Sequence, residues 1–440
     1  MAIHHRLRIG AVAALAGGAL ILSGCSGGLG GGSDAGGDGG AEGEPIRIGY
    51  VTPKTGALAA FGEADDFVLG AMTDYFAEHP VTLADGTTHP VEIISKDTQS
   101  DSTTAANVAN DLILNDEVSM ILVSSTPDTT NPVSDVCEAN QVLCISTVAP
   151  WQAYYFGRGG TPEEGFDYTY HFFWGLGEAE AVYNEIWKAT APADSGVGLL
   201  LPNDPDGNAW RDTATGFPPF IESEGRTPND PGPYENGSAS FSTQIESFKA
   251  ANDSIVVGVP IPPDFITFWT QAAQQGFHPT TATIAKAILF PSVVGGLPEG
   301  LGDNLSTEVW WHPTAPFTSS LTGQSAQELA DAFEEATGQQ WTQPIGFAEA
   351  LFEVAAAVLE QSPSLSAEDL AATTGALQLD TVVGTLDWTS GPVKNVTITP
   401  LTGGQWRWDG SGYELVIVTN SIAPEIPTGG TPEPIDWSGR

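Results

Sequence analysis

Short apolar runs alternate with amphipathic stretches along most of this chain. The run 120–123 (MILV) is too short for a helix and suits a buried strand. A hydroxyl-dense loop, 124–130, follows it and carries Asp128. Asn131-Pro132 then opens a predicted helix to about Asn140, since proline is tolerated in a helix's first turn. Residues 142–145 form a second apolar strand, ending in the loop 146–151. Two parallel strands joined by a helix, both ending in loops of donors and acceptors, make a ligand-binding unit. Open α/β sheets take ligands beyond the carboxyl ends of their strands.

The same rhythm runs in both directions from this unit. Upstream, the pattern predicts strands at 46–52 and 91–97 and helices at 63–79 and 104–116. In the last of these Ala105, Val108, Ala109, Leu112 and Ile113 recur at helical spacing. A second half begins near Tyr168. It has helices at 178–190, 241–251 and 263–275, strands at 197–201, 254–259 and 281–289, and a loop at 202–208. Helices at 324–337 and 346–361 precede terminal strands at 396–401, 405–408 and 413–420. The expected class is α/β, with parallel sheets and right-handed crossovers. Its 440 residues suffice for two domains with real cores. Residues 422–440, rich in proline and glycine, are expected as a flexible tail.

The first residues change the picture of where the protein works. Arg6 and Arg8 precede an apolar run, 9–22, and then Leu22-Ser23-Gly24-Cys25. This is a secretory signal peptide ending in a lipobox, 1–24, with Cys25 as the lipidated residue. Residues 25–44 are almost all small or acidic and read as a flexible linker. Nothing later approaches 18 consecutive apolar residues, so the expectation is an exported protein tethered through lipid on Cys25 alone.

Charge excludes some partners. Asp and Glu number 55 against 14 Lys and Arg, a formal net charge of −41. Nucleic acid is excluded as a partner, because its phosphates need neutralising. A surface so acidic favours solubility and raises the hypothesis of adaptation to high salt. In an oxidising compartment Cys137 and Cys144 are expected as a disulfide, the alternative being two buried thiols. No phosphate-binding loop or zinc-ligand spacing is present, and no metal or cofactor is expected. The segment Asp204-Pro205-Asp206-Gly207-Asn208 has a misplaced glycine for a calcium loop and lacks its closing glutamate. No nucleophile and base can be assembled, so an enzyme is not expected.

Several segments resemble one family. IRIGYVTPKTGALAAFGEADDFVLGA (46–71) is similar to the opening segment of type I solute-binding proteins of the branched-chain amino-acid ABC-transporter class. KDTQSDSTTAANVANDLI (96–113), PVSDVCEANQVLCIST (132–147) and VVGTLDWTSG (382–391) resemble later segments of that family in the same order. The resemblance covers about residues 46–420. It implies two Rossmann-like lobes joined by a three-segment hinge, the type I periplasmic binding protein fold. The lobes would be 45–170 with 310–383, and 171–309 with 384–421. It further implies capture of a small organic ligand between the lobes, delivery to ABC permease subunits, and action as a monomer. The alternative is a sensor module on the same fold, signalling to a partner.

Carried over by position, the resemblance puts Phe61, Thr126, Asp128, Thr129, Val148, Trp151, Asp206 and Lys286 at the ligand. The chain departs from the family where an acidic residue grips an α-amino group, for Lys286 stands there. Pro150 and Trp151 replace the threonine usual near 150, and Tyr154, Tyr155, Phe156, Tyr170, Phe172, Phe173 and Trp174 crowd the first crossover. These departures favour an aromatic solute, or one larger than leucine, with a carboxylate held by Lys286. Of the adjacent Trp310 and Trp311, at most one should face the ligand.

Overall fold

The computed structural model describes residues 42–438. The signal peptide, Cys25 and most of the linker lie outside the described residues.

Six parallel strands form one sheet, in the order Val396–Thr397, Thr169–Phe172, Leu143–Thr147, Met120–Ser124, Ile46–Thr52, Val91–Asp97. Its inner strands, MILVS and LCIST, are buried along their whole length, as a parallel sheet covered on both faces requires. Seven strands form a second sheet, in the order Tyr413–Thr419, Thr402–Trp408, Ser306–Val309, Thr281–Ile284, Ile255–Gly258, Gly196–Leu200, Thr227–Asn229. Thr402–Trp408 pairs antiparallel with both its neighbours, and every other pair is parallel. The helix Pro344–Gln361 is buried on nearly every face and packs on the first sheet. It carries the buried Glu353, which accepts from Ser320 Oγ at 2.7 Å and Val382 N–H at 3.1 Å.

Four expectations change here. Val396–Thr397 still pairs with Thr169–Phe172, so the last passage between sheets falls at 398–401 and not at 383/384. The helix expected from residue 131 begins at Thr126. Pro132 has no N–H for the carbonyl of Asp128, and the Ser102 hydroxyl takes that carbonyl at 2.7 Å instead. The loop 202–208 holds a short helix, Pro205–Trp210, capped by Asp204 accepting from Gly207 N–H at 2.8 Å. Residues 422–438 are docked and not loose. Ile426 and Ile435 are buried, Ile435 N–H donates to Thr280 O at 2.8 Å, and Trp437 stacks on His278.

Cys137 and Cys144 are both free and buried in a satellite core between the helix Thr126–Asn140 and its strand. This corrects the expected disulfide. Burial is the main reason that the Cys137 thiol sits above its ordinary pKa, with the neighbouring Cys144 adding to it. Cys144 Sγ lies 3.8 Å from Ser134 Oγ, so the pair behaves as small core residues.

Candidate ligand-binding site

A small cavity of about 30 Å³ lies where the carboxyl ends of the two sheets' strands face each other. From the first sheet come Phe61, Thr126, Pro127, Val148, Pro150, Phe173 and Trp174. The second sheet's side supplies Asp206, Trp210, Val259, Ala285, Lys286, Leu289, Glu308 and Trp310. Almost every wall residue follows a strand end, the placement that open α/β sheets use for ligands.

Three wall residues hold backbones unusual for their type. Thr126 (φ 54°), Val148 (φ 58°) and Lys286 (φ 63°) are left-handed. For the β-branched Thr126 and Val148 this conformation is strained, and such strain clusters at functional sites. Thr126 N–H donates to Val148 O at 2.8 Å, tying the two together.

Lys286 is the electrostatic centre. Its Nζ reaches Asp206 Oδ2 at 2.9 Å, Asp128 Oδ2 at 3.0 Å and Asp204 Oδ2 at 3.2 Å. Burial works against the ammonium, but the fields of Asp128, Asp204 and Asp206 outweigh it and raise its pKa. Asp206 is pushed up to about 7, first by burial and then by the two competing carboxylates, against the pull of Lys286. Glu308 is likewise pushed to about 7 by burial, opposed by hydrogen bonds from Tyr183 and Thr307 and by the Lys286 N–H.

The expected site residues divide. Phe61, Thr126, Val148, Asp206 and Lys286 line the cavity. Phe61 meets Phe290 edge-on at 4.9 Å. Asp128 stands beside the cavity through its bond to Lys286. Thr129 does not line it: its hydroxyl turns back to Ser125 O at 2.6 Å within its own helix. Trp151 does not line it either. Its ring lies against the backbone of Gly175, where a Cβ would come within 2.2 Å of Nε1. Of the adjacent tryptophans, Trp310 lines the cavity while Trp311 packs on Gly346. A carboxylate on Lys286 is not what the geometry offers, since three aspartates already occupy that ammonium.

Sequence reasoning missed Asp204, Glu308 and Trp210; it named Trp174 only among the crossover aromatics and Trp310 only as one of an adjacent pair. The one available signal was Asp204-Pro205, a helix-capping pair that points its first turn inward.

The chain belongs to the periplasmic binding protein family, whose model matches residues 45–411. Its two lobes have the type I fold. The structure is similar to the leucine-binding protein LivK of Thermotoga maritima MSB8, with TM-score 0.67 at 17% identity over 86% of this chain and 99% of that one. It is also similar to LivJ of Streptococcus pneumoniae in complex with isoleucine (TM-score 0.66, 16% identity, 85% of this chain, 99% of that one). A third is a solute-binding protein of Rhodopseudomonas palustris BisB5 in complex with 3,4-dihydroxybenzoic acid (TM-score 0.64, 14% identity, 85% of this chain, 96% of that one). No curated protein matches in sequence.

Proposed function

We propose that this chain is an extracytoplasmic solute-binding protein. It captures a small organic ligand between its lobes and delivers it to ABC permease subunits of the branched-chain amino-acid type. The observation that carries the reading is the cavity walled from both sheets and bridged by Asp128 and Lys286. Ligand contacts from both lobes favour the closed arrangement, and hinge motion admits and releases the solute. No bond is made or broken. Lipid on Cys25 would hold the protein at the membrane surface.

The cavity argues for a smaller solute than the aromatic content first suggests. Trp174, Trp210, Phe173 and Trp310 fill the cleft from both sides and leave about 30 Å³ of free space in this arrangement, room for about two waters. The relatives bind branched-chain amino acids or hydroxylated benzoic acids, which brackets the size range to screen.

A thermal-shift screen of amino acids, amides, aromatic acids and amines tests the reading. Bound solute should raise the melting point, and small-angle scattering should show compaction. No shift and no compaction with any member would count against it. Permease and ATPase genes beside this one would favour import over the sensor alternative.

A further inference from the structure

Charge in the cleft is lopsided. Three carboxylates, those of Asp128, Asp204 and Asp206, surround one ammonium, Lys286, and Glu308 adds a fourth acidic group to the cavity wall. Lys286 has three N–H donors and spends them on three different aspartates, so none is left for a ligand. Among the described residues lining the cavity, Lys286 is the sole basic one.

Unpaired polar atoms converge on the same space. Asp206 is 2% exposed, yet its Oδ1 has no hydrogen-bond partner. The indole N–H groups of Trp174, Trp210 and Trp310 and the Thr126 hydroxyl are also buried and unpaired, and all four residues line the cavity. Buried polar atoms normally find partners, so a cluster of orphans at one cavity points to groups that a ligand brings. The orphaned carboxylate oxygen needs a donor, and the orphaned indoles need an acceptor.

A ligand carboxylate could accept from the indoles but would lie beside Asp206 with no free cation to pair it. Pro127 gives the first turn of the helix Thr126–Asn140 one N–H fewer, and Asp128 already puts a carboxylate there. An anion would find neutral donors only, with the carboxyl groups of Asp128, Asp204 and Asp206 close by.

Resting on the solute-binding reading above, we propose that the cleft selects a small organic monocation carrying a neutral acceptor oxygen, an amino amide or amino alcohol, over zwitterions and anions. Its ammonium pairs with Asp206 Oδ1 beside the indole rings, whose faces attract cations. Its oxygen accepts from an indole N–H or the Thr126 hydroxyl.

Charge-matched probes on two carbon frames test this by titration calorimetry at pH 7. One frame is leucinamide, leucine and 4-methylpentanoate; the other is phenylalaninamide, phenylalanine and 3-phenylpropanoate. Ethanolamine and choline extend the cations to smaller sizes. At least one cation should bind, and an amide that binds should do so at least tenfold tighter than its zwitterion and its anion. Asp206→Asn should cost that cation at least tenfold. Trp310→Phe, which keeps a ring and removes the N–H, should cost severalfold and stands in should Asp206→Asn fail to fold. A zwitterion or anion binding as tightly as its cation would overturn the charge selection and leave solute capture standing. Silence from every probe, with no compaction in scattering, would count against both.

Discussion

Asp128 and Lys286 meet across the cleft, Oδ2 to Nζ at 3.0 Å, the one from the first turn of the helix Thr126–Asn140 and the other from the loop after the second sheet's strand Thr281–Ile284. They are 158 residues apart in sequence, and their bond spans the two lobes. Asp128→Asn removes one charge but leaves Lys286 with Asp204 and Asp206. The fold should therefore lose little, about 1 kcal/mol or less, since the Asp128 side chain is 21% exposed and its loss relieves repulsion on Asp206. The closed arrangement should lose more, up to about tenfold in population. Distances between labels on the two lobes, read without ligand, check this.

Lys286→Met is the opposite case. It strips three carboxylates of their shared partner, two of them almost fully buried. Leaving buried charge uncompensated costs about 3–5 kcal/mol. Protonation of Asp206 would return part of this, so the variant's deficit should shrink between pH 8 and pH 5. Urea unfolding of both proteins at the two values measures it.

How much of this was open to reading from the sequence depends on distance along the chain. Strands such as Ile46–Thr52 and Val91–Asp97 announce themselves by local apolar pattern, and their bounds agree with expectation. The helix start at Thr126 was hidden because Pro132 looks like a beginning, and only Ser102, 26 residues upstream of the carbonyl it caps, shows why it is not. Phe61, Asp206 and Lys286 were placed by resemblance. Trp174 and Trp310 were singled out only as aromatics, and Trp210 not at all, since the three share no spacing that a linear pattern could detect. Trp151 looked equally aromatic, and only the missing side chain of Gly175 reveals its packing role.

Stability should fall as pH rises through the acid-to-neutral range. Asp206, Glu308 and Glu353 have pKa values of about 7 in the fold, all chiefly from burial. Their folded values lie above the ordinary carboxylate range, so between about pH 4 and pH 7 the native state holds more protons than the unfolded chain. The slope of stability against pH is then negative over that window, so these groups put the maximum at its acid end, about pH 4. Glu308→Gln should flatten the curve in denaturant unfolding from pH 4 to 8. A stability maximum at pH 8 would contradict the assignment.

Salt should act in the same direction as mild acid, for a different reason. At a net charge of −41 the folded chain repels itself, and at about 1 M salt the screening length shrinks to about 3 Å. The thermal midpoint should therefore rise between low and molar salt. A flat response would remove the case for adaptation to a saline habitat.

Trp151 and Gly175 form a pair that separates packing from binding. An alanine at 175 would place its Cβ 2.2 Å from Trp151 Nε1 and 2.4 Å from its Cδ1, so the ring must move. Backbone strain is not the issue, because Gly175 is extended at φ −123°. Gly175→Ala should cost about 1–3 kcal/mol, as overpacking does. Trp151→Ala should also destabilise while leaving ligand affinity nearly unchanged, since the ring is not on the cavity wall. The decisive measurement is the double variant. If the two residues fill one space, Trp151→Ala with Gly175→Ala should be less destabilised than the sum of the single changes, by 1 kcal/mol or so. Additive losses, or a large loss of affinity in Trp151→Ala, would return that ring to the ligand.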